Sequence, residues 1–217
     1  MAGVKIQRIS AEAVLAVLER TYPDAICALN YRSPWELLVA TILSAQCTDV
    51  RVNLVTPALF RRFPTPMAMA SAALEEVEGL IRSTGFFRNK AKSLIGCAAA
   101  VVDRYAGEVP PSLEALTALP GVGRKTANVV LGTAFGIPGM VVDTHVKRIA
   151  FRLGWTRQRD PEKIERELMA VLPAASWNRA GHLIIHHGRV LCKAPTPVCS
   201  QCPLQGWCPR CGVKNSR

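Results

Sequence analysis

Along this chain, apolar stretches follow helix-start signals, and alternation of apolar and polar positions over a strand length is scarce. Ser33-Pro34-Trp35-Glu36 is the clearest start. Ser33 is placed to cap, Pro34 to occupy the first helical position, and Glu36 stands where a capping box needs it. Residues 37–47 are then apolar nearly all round, which predicts a central buried helix. Thr65-Pro66 and Asp160-Pro161 repeat the cap-then-proline pattern, and Ser10 and Ser112 are caps without the proline. Gly136, Pro138 and Gly139 break the chain after Phe135. Runs such as Val129-Val130 and Val141-Val142 are too short for strands. The pattern predicts an all-α protein of about ten helices with short connections, without a low-complexity linker or internal repeat.

Composition narrows the class. The chain has 217 residues, 49% of them hydrophobic and 20% charged, which excludes wholesale disorder and allows one large domain or two small ones. No apolar run reaches the roughly 18 residues of a membrane span, and residues 1–10 lack the apolar core of a secretory signal. These features lead to the expectation of a soluble, cytoplasmic protein. Twenty-seven Lys and Arg against 16 Asp and Glu give a net charge of +11, which favours a polyanionic partner, nucleic acid first.

Five of the eight cysteines fall within the last 26 residues. Cys192, Cys199, Cys202 and Cys208 have the spacing C-x6-C-x2-C-x5-C, with Cys211 following. Four thiolates so close in sequence suit zinc or an iron–sulfur cluster, and spacing alone leaves both open. Cys27, Cys47 and Cys97 sit in apolar helical contexts and read as buried small hydrophobes.

A glycine-rich turn, Leu119-Pro120-Gly121-Val122-Gly123, lies between predicted helices at 113–119 and 124–135. Its glycines permit a tight turn and let backbone N–H groups approach a partner, and the second helix presents its N-terminus to an anion. Lys125 falls in the first turn of that helix beside Arg124, where dipole and like charge both favour the neutral amine. A nucleophilic lysine and a phosphate-binding lysine are both consistent with this position. Asp143 or Thr144 caps a helix running to Leu153; a carboxylate there is also chemically suited to stabilise a developing cation.

Together these features resemble endonuclease III, a family of helix-hairpin-helix DNA glycosylases. The resemblance rests on Leu43-Ser44-Ala45-Gln46 with Thr48-Asp49, the hairpin LPGVGRKTANVVL, Val142-Asp143-Thr144-His145, His187-Gly188-Arg189 and the cysteine spacing. It implies two α-helical domains flanking a DNA-binding cleft. Residues 27–137 would form a six-helix domain with the hairpin, and residues 1–26 with 138–217 an iron–sulfur domain. The implied cofactor is a [4Fe–4S] cluster on Cys192, Cys199, Cys202 and Cys208. The implied reaction is excision of oxidised pyrimidines from duplex DNA, followed by cleavage of the abasic site. Lys125 is then the nucleophile and Asp143 its assisting carboxylate. Gln46 fills the space left in the duplex, Phe86 is the wedge, and Gly121, Gly123, Arg124, Thr144 and His145 are DNA contacts. Arg88, Lys90, Lys147 and Arg148 are further expected phosphate contacts. The implied protein is a monomer, associated with the nucleoid if bacterial, whose partner is double-stranded DNA bearing oxidised pyrimidines or abasic sites.

Three positions depart from the family pattern. The wedge is commonly aliphatic, the 193–198 loop has Lys193 as its only basic residue, and Cys211 is extra. Two alternatives carry weight. An adenine-mismatch glycosylase lacks the lysine and needs a carboxylate on the early buried helix, where residues 37–47 have none. A non-catalytic DNA-binding protein with structural zinc is the other.

Overall fold

The computed structural model describes residues 10–217; most of the stretch that lacks a secretory pattern therefore lies outside the described residues. Those residues form eleven α-helices and three short 3-10 turns, with no strand. In chain order the helices are α1 (Ala11–Thr21), α2 (Pro34–Leu43), α3 (Asp49–Arg62), α4 (Pro66–Ala70), α5 (Leu74–Ile81) and α6 (Phe87–Tyr105). They continue with α7 (Leu113–Thr117), α8 (Arg124–Ala134), α9 (Thr144–Arg152), α10 (Pro161–Val171) and α11 (Trp177–Val190). No helix among the described residues is long and apolar enough to cross a membrane.

The helix starts follow from local chemistry. Ser10, Ser33, Thr48, Thr65, Ser112, Asp143 and Asp160 each accept a hydrogen bond from the backbone N–H three residues on, so seven of the helices begin where a side-chain oxygen satisfies an orphan donor. The capping box at Ser33 differs in one respect. Glu36 accepts from the N–H of Arg32, one residue earlier than the box requires.

The chain divides into two compact units, one spanning Ala28–Ile137 and the other joining the segment before Ala28 to Pro138–Arg217. In the first, α2 is buried almost throughout, including Leu37, Leu38, Val39 and Ala40. It packs on α3, α6 and α8, while α6 packs on α4 and α5. This helix ends at Leu43, four residues before the predicted Cys47. The reason is Gln46, whose backbone is left-handed at φ 53°, so the chain turns out of the helix although its residues are apolar enough to continue.

In the second unit the core joins Val14 and Leu18 of α1 to Val146 and Ile149 of α9, Ile164 and Leu168 of α10, and Leu183 and Ile184 of α11. Arg179 on α11 holds the amino-terminal segment in place. Its guanidinium donates to the Glu19 carboxylate at 2.6 and 2.8 Å and to the carbonyls of Tyr22, Pro23 and Ala25. The hydrogen bonds from Arg179 hold the Glu19 carboxyl below its usual pKa.

Of the three cysteines expected to be buried, only Cys97 is; burial pushes its thiol up to about 12. Cys27 and Cys47 are half-buried, because each lies outside the apolar helix that suggested burial.

Candidate active site and cysteine centre

The glycine-rich turn joins α7 to α8. Leu119 and Val122 are buried, and the Val122 N–H closes the turn on the Leu119 carbonyl at 3.1 Å. Its two glycines have different reasons. Gly121 has φ +76°, and a Cβ there would lie 2.6 Å from Cβ of Ser93 on α6, so the fold itself demands glycine. Gly123 has φ −89°, which any residue adopts, and an added Cβ would meet nothing within 4 Å. Nothing within the protein requires glycine at 123.

Gly123 is the N-cap of α8 and supplies no side-chain cap, so the helix start lacks the side-chain acceptor found at seven other starts. Lys125 is exposed in the first turn, and among the described residues its side chain makes no hydrogen bond or ion pair.

These glycines make a paired prediction. Gly121→Ala is expected to cost roughly 2–5 kcal/mol, from left-handed strain plus the collision with Ser93. Gly123→Ala is expected to stay within about 0.5 kcal/mol of the parent, as an open surface site, yet to weaken DNA binding. Denaturant unfolding and a DNA titration of both variants check this; equal stability of the two variants would contradict the assignment.

In the second unit, buried Val141 and Val142 lead into Asp143, the N-cap of α9. Asp143 Oδ1 accepts from the N–H groups of His145 and Val146, each at 2.8 Å. Both bonds fall on one oxygen, leaving Oδ2 outside the cap. Thr144 is exposed and His145 half-buried. Burial lowers the His145 pKa; the Asp143 carboxylate opposes that, and the charges of Arg148 and Arg189 add to the depression. Gly188 on α11 allows the close approach of α9: an added Cβ would lie 2.7 Å from Nδ1 of His145 and 3.0 Å from Ile149.

Two of the expected phosphate contacts on α9 are engaged within their own unit. Arg148 donates to the carbonyls of Cys192 and Gly188 at 3.1 and 3.0 Å, and the Lys147 ammonium to the Arg159 carbonyl. Arg152, one turn on, donates to the carbonyls of Cys192, Lys193 and Pro195 and to Sγ of Cys192 at 3.2 Å. Arg148 and Arg152 therefore hold the start of the cysteine loop by its backbone. Sequence reasoning missed Arg152, although its i,i+4 spacing from Arg148 placed both on one helix face. Lys90 is also no surface contact: it is 5% exposed and donates to two carbonyls. Arg88 alone of the four stays at the surface, its guanidinium lying 5.5 Å over the Phe87 ring.

Gln46 and Phe86 share an unusual backbone. Both are non-glycine residues in the left-handed region, at φ 53° and φ 48°. Both side chains are at the surface, and Phe86 is 65% exposed, which excludes core packing as its purpose.

Cys192, Cys199, Cys202 and Cys208 line one common pocket, with Arg152 and His187 in its wall. Burial pushes the Cys202 thiol up to about 11, and the Cys192, Cys208 and Cys199 sulfurs push it the same way. Nε2 of buried His187 lies 3.6 Å from Sγ of Cys202, and its Nδ1 lies 3.0 Å from the Tyr22 hydroxyl. Cys211 lines a different groove, with Phe151 and Trp207. No group of three or more His, Cys, Asp or Glu among the described residues is arranged around a single metal ion.

Residues 39–174 match the sequence profile of the HhH-GPD superfamily base excision DNA repair protein. The chain is 54% identical over 200 residues to endonuclease III of Synechocystis sp., covering 92% of this chain and 91% of that one. It is 42% identical over 195 residues to endonuclease III of Escherichia coli, covering 90% and 92%. Among solved structures, a non-covalent endonuclease III–DNA complex superposes with a TM-score of 0.88 at 46% identity, covering 92% of this chain and 94% of that one. A thermostable thymine-DNA glycosylase at 20% identity shares the fold, with a TM-score of 0.82 over 92% of this chain and 95% of that one. The fold and the profile define a base excision repair protein with a helix-hairpin-helix motif. Within that superfamily the chain belongs to the endonuclease III family, whose members are DNA glycosylases and abasic-site lyases. It is accordingly an enzyme, which sets aside the non-catalytic zinc protein.

Proposed function

We propose that this enzyme excises oxidised pyrimidines from duplex DNA, with Lys125 as nucleophile and Asp143 as the assisting carboxylate. The observation that carries the reading is Lys125 itself: exposed, without an internal partner, in the first turn of a helix that lacks a side-chain cap. A lysine there has no structural task, and its amine is uncommitted and able to attack carbon. The target nucleotide leaves the base stack so that its sugar carbon becomes reachable. Nζ of Lys125 bonds to C1′ as the base departs with the glycosidic electron pair. The sugar ring opens to an imine, and loss of a C2′ proton expels the 3′ phosphate. Oδ2 of Asp143, free of the cap, is the atom suited to take the lysine proton or to face the sugar's positive charge.

The backbone around Gly121 and Gly123, with Arg124, is read as a phosphate contact, supported by a glycine at 123 that the fold does not need. Thr144 and His145 at the start of α9 are read as further DNA contacts, with Gln46 filling the duplex and Phe86 as wedge. The four cysteines suit a [4Fe–4S] cluster, because four thiols, the donor set that holds such clusters, line one pocket. When bound, that group supplies a covalent cross-link of the 192–208 loop; the chemistry at the sugar belongs to Lys125 and Asp143. The enzyme is read as a cytoplasmic monomer.

A panel of duplexes carrying single lesions, incubated with borohydride, tests the reading. Covalent capture is expected on oxidised pyrimidines and abasic sites but not on undamaged duplex. Selective removal of adenine opposite an oxidised purine, without capture, would favour the mismatch glycosylase instead.

A further inference from the structure

Lys90 is the one lysine among the described residues whose ammonium is buried between two helix ends. Nζ donates to the Leu43 carbonyl at 2.8 Å and to the Thr84 carbonyl at 2.8 Å. Leu43 is the last residue of α2, and Thr84 the last residue of the 3-10 turn after α5. A helix end leaves four carbonyls without internal partners. At α2 the Ala40, Thr41 and Ile42 carbonyls receive the Ser44 N–H, the Ser44 hydroxyl and the Ala45 N–H, and Lys90 takes the fourth. The Thr84 hydroxyl donates to the Ile81 carbonyl, and the Thr84 carbonyl accepts from Lys90. A buried ammonium suits two negative helix ends at once.

The contact gains its consequence from the residues just beyond the two ends. Three residues past Leu43 stands Gln46, and two past Thr84 stands Phe86, both left-handed without being glycine. Such backbone persists only where its surroundings hold it. Lys90 also closes the first turn of α6, its own N–H donating to the Phe86 carbonyl at 3.1 Å. One residue therefore joins the Gln46 turn, the Thr84 turn and the backbone of Phe86.

We propose that Lys90 is a positioning residue that fixes the Gln46 and Phe86 turns relative to one another, so that filler and wedge enter the duplex as a single device. This rests on the reading of Gln46 as filler and Phe86 as wedge. Lys90 does not touch the sugar; its effect on excision passes through those two side chains.

The test is Lys90→Met, which keeps the length of the stem and removes both hydrogen bonds. Single-turnover excision of an oxidised pyrimidine from duplex DNA is expected to fall about 100-fold, the scale of a misplacement remote from the reacting atoms. Borohydride capture on a single-stranded abasic oligonucleotide, which has no partner strand to fill or wedge, is expected to fall at least about tenfold less. Adding Lys90→Met to the Gln46→Ala, Phe86→Ala double variant should cost little more. Equal losses on both substrates, or a full additional loss in the triple variant, would overturn the proposal in favour of plain stability. If Lys90→Met does not fold, Lys90→Gln is read in the same way, since its amide retains one donor group. Failure of the underlying reading is visible separately: Gln46→Ala and Phe86→Ala would then show no duplex-selective loss themselves.

Discussion

Lys125→Ala is expected to abolish covalent capture by borohydride and to lower excision by about 10⁴- to 10⁶-fold, the range seen when a nucleophile is removed from a set of groups that act as a unit. The fold gives little reason for any other effect. Lys125 is exposed, and among the described residues no hydrogen bond or ion pair depends on it, so its removal should leave thermal unfolding unchanged. Asp143 needs a different substitution. Its Oδ1 holds the first turn of α9 through two backbone bonds, and alanine would remove that cap along with the charge. Asn is an equally good cap and carries no charge, so Asp143→Asn separates the two roles. A loss of about 10²- to 10³-fold in excision with unchanged stability is expected, as for other groups that stabilise developing charge. The double variant should lose little beyond Lys125→Ala alone. Capture that persisted in Lys125→Ala would remove the lysine from the nucleophile role. Independent, fully additive losses would mean that the aspartate serves another step.

The second large effect is expected from Cys202→Ala. Beyond Leu191 the chain forms no α-helix, only the turn Cys199–Gln201, and Leu204, 1% exposed, is its one fully buried member of the apolar core. Its remaining ties are backbone bonds such as Ser200 to Arg217, and the arginines of α9. On the cluster reading, a segment with so few buried apolar side chains is held by cross-linking through its sulfurs. Loss of such a group ranks among the changes that cost about 4–5 kcal/mol or more. The parent protein is expected to be yellow-brown, with iron and sulfide in equal amounts. Cys202→Ala is expected to be colourless, with a lowered unfolding midpoint and new protease cleavage between residues 192 and 217. Cys211→Ala should keep both colour and midpoint, since Cys211 lines another groove. A colourless parent with one zinc per chain would sink the cluster assignment.

Much of this architecture was legible because its causes are local. Capping depends on a side-chain oxygen and the N–H three residues on, so Ser33, Thr65, Ser112 and Asp160 announced their helices. A cap at Asp143 or Thr144 was legible for the same reason, and the structure gives it to Asp143. The roles proposed for Lys125 and the four cysteines come from the resemblance, which rests on residue types at set spacings. Charge was a poorer guide. Lys90, Lys147 and Arg148 all read as phosphate contacts, and all three donate to carbonyls of their own unit.

The sequence by itself determined that the chain is helical and where most of its helices begin, and through the resemblance it supplied the lysine, carboxylate and cysteines proposed to carry the chemistry. Tertiary structure alone decided how far α2 runs, which glycine of the hairpin the fold requires, and where each basic side chain ends. The reason is physical. A cap or a turn is satisfied by atoms a few residues away, whereas the partner of a buried ammonium, or the atom a Cβ would strike, comes from distant chain. Lys90 and Leu43 are 47 residues apart, and only folding brings them to 2.8 Å. The +11 charge is thus divided between the surface and internal struts, a division no composition can express.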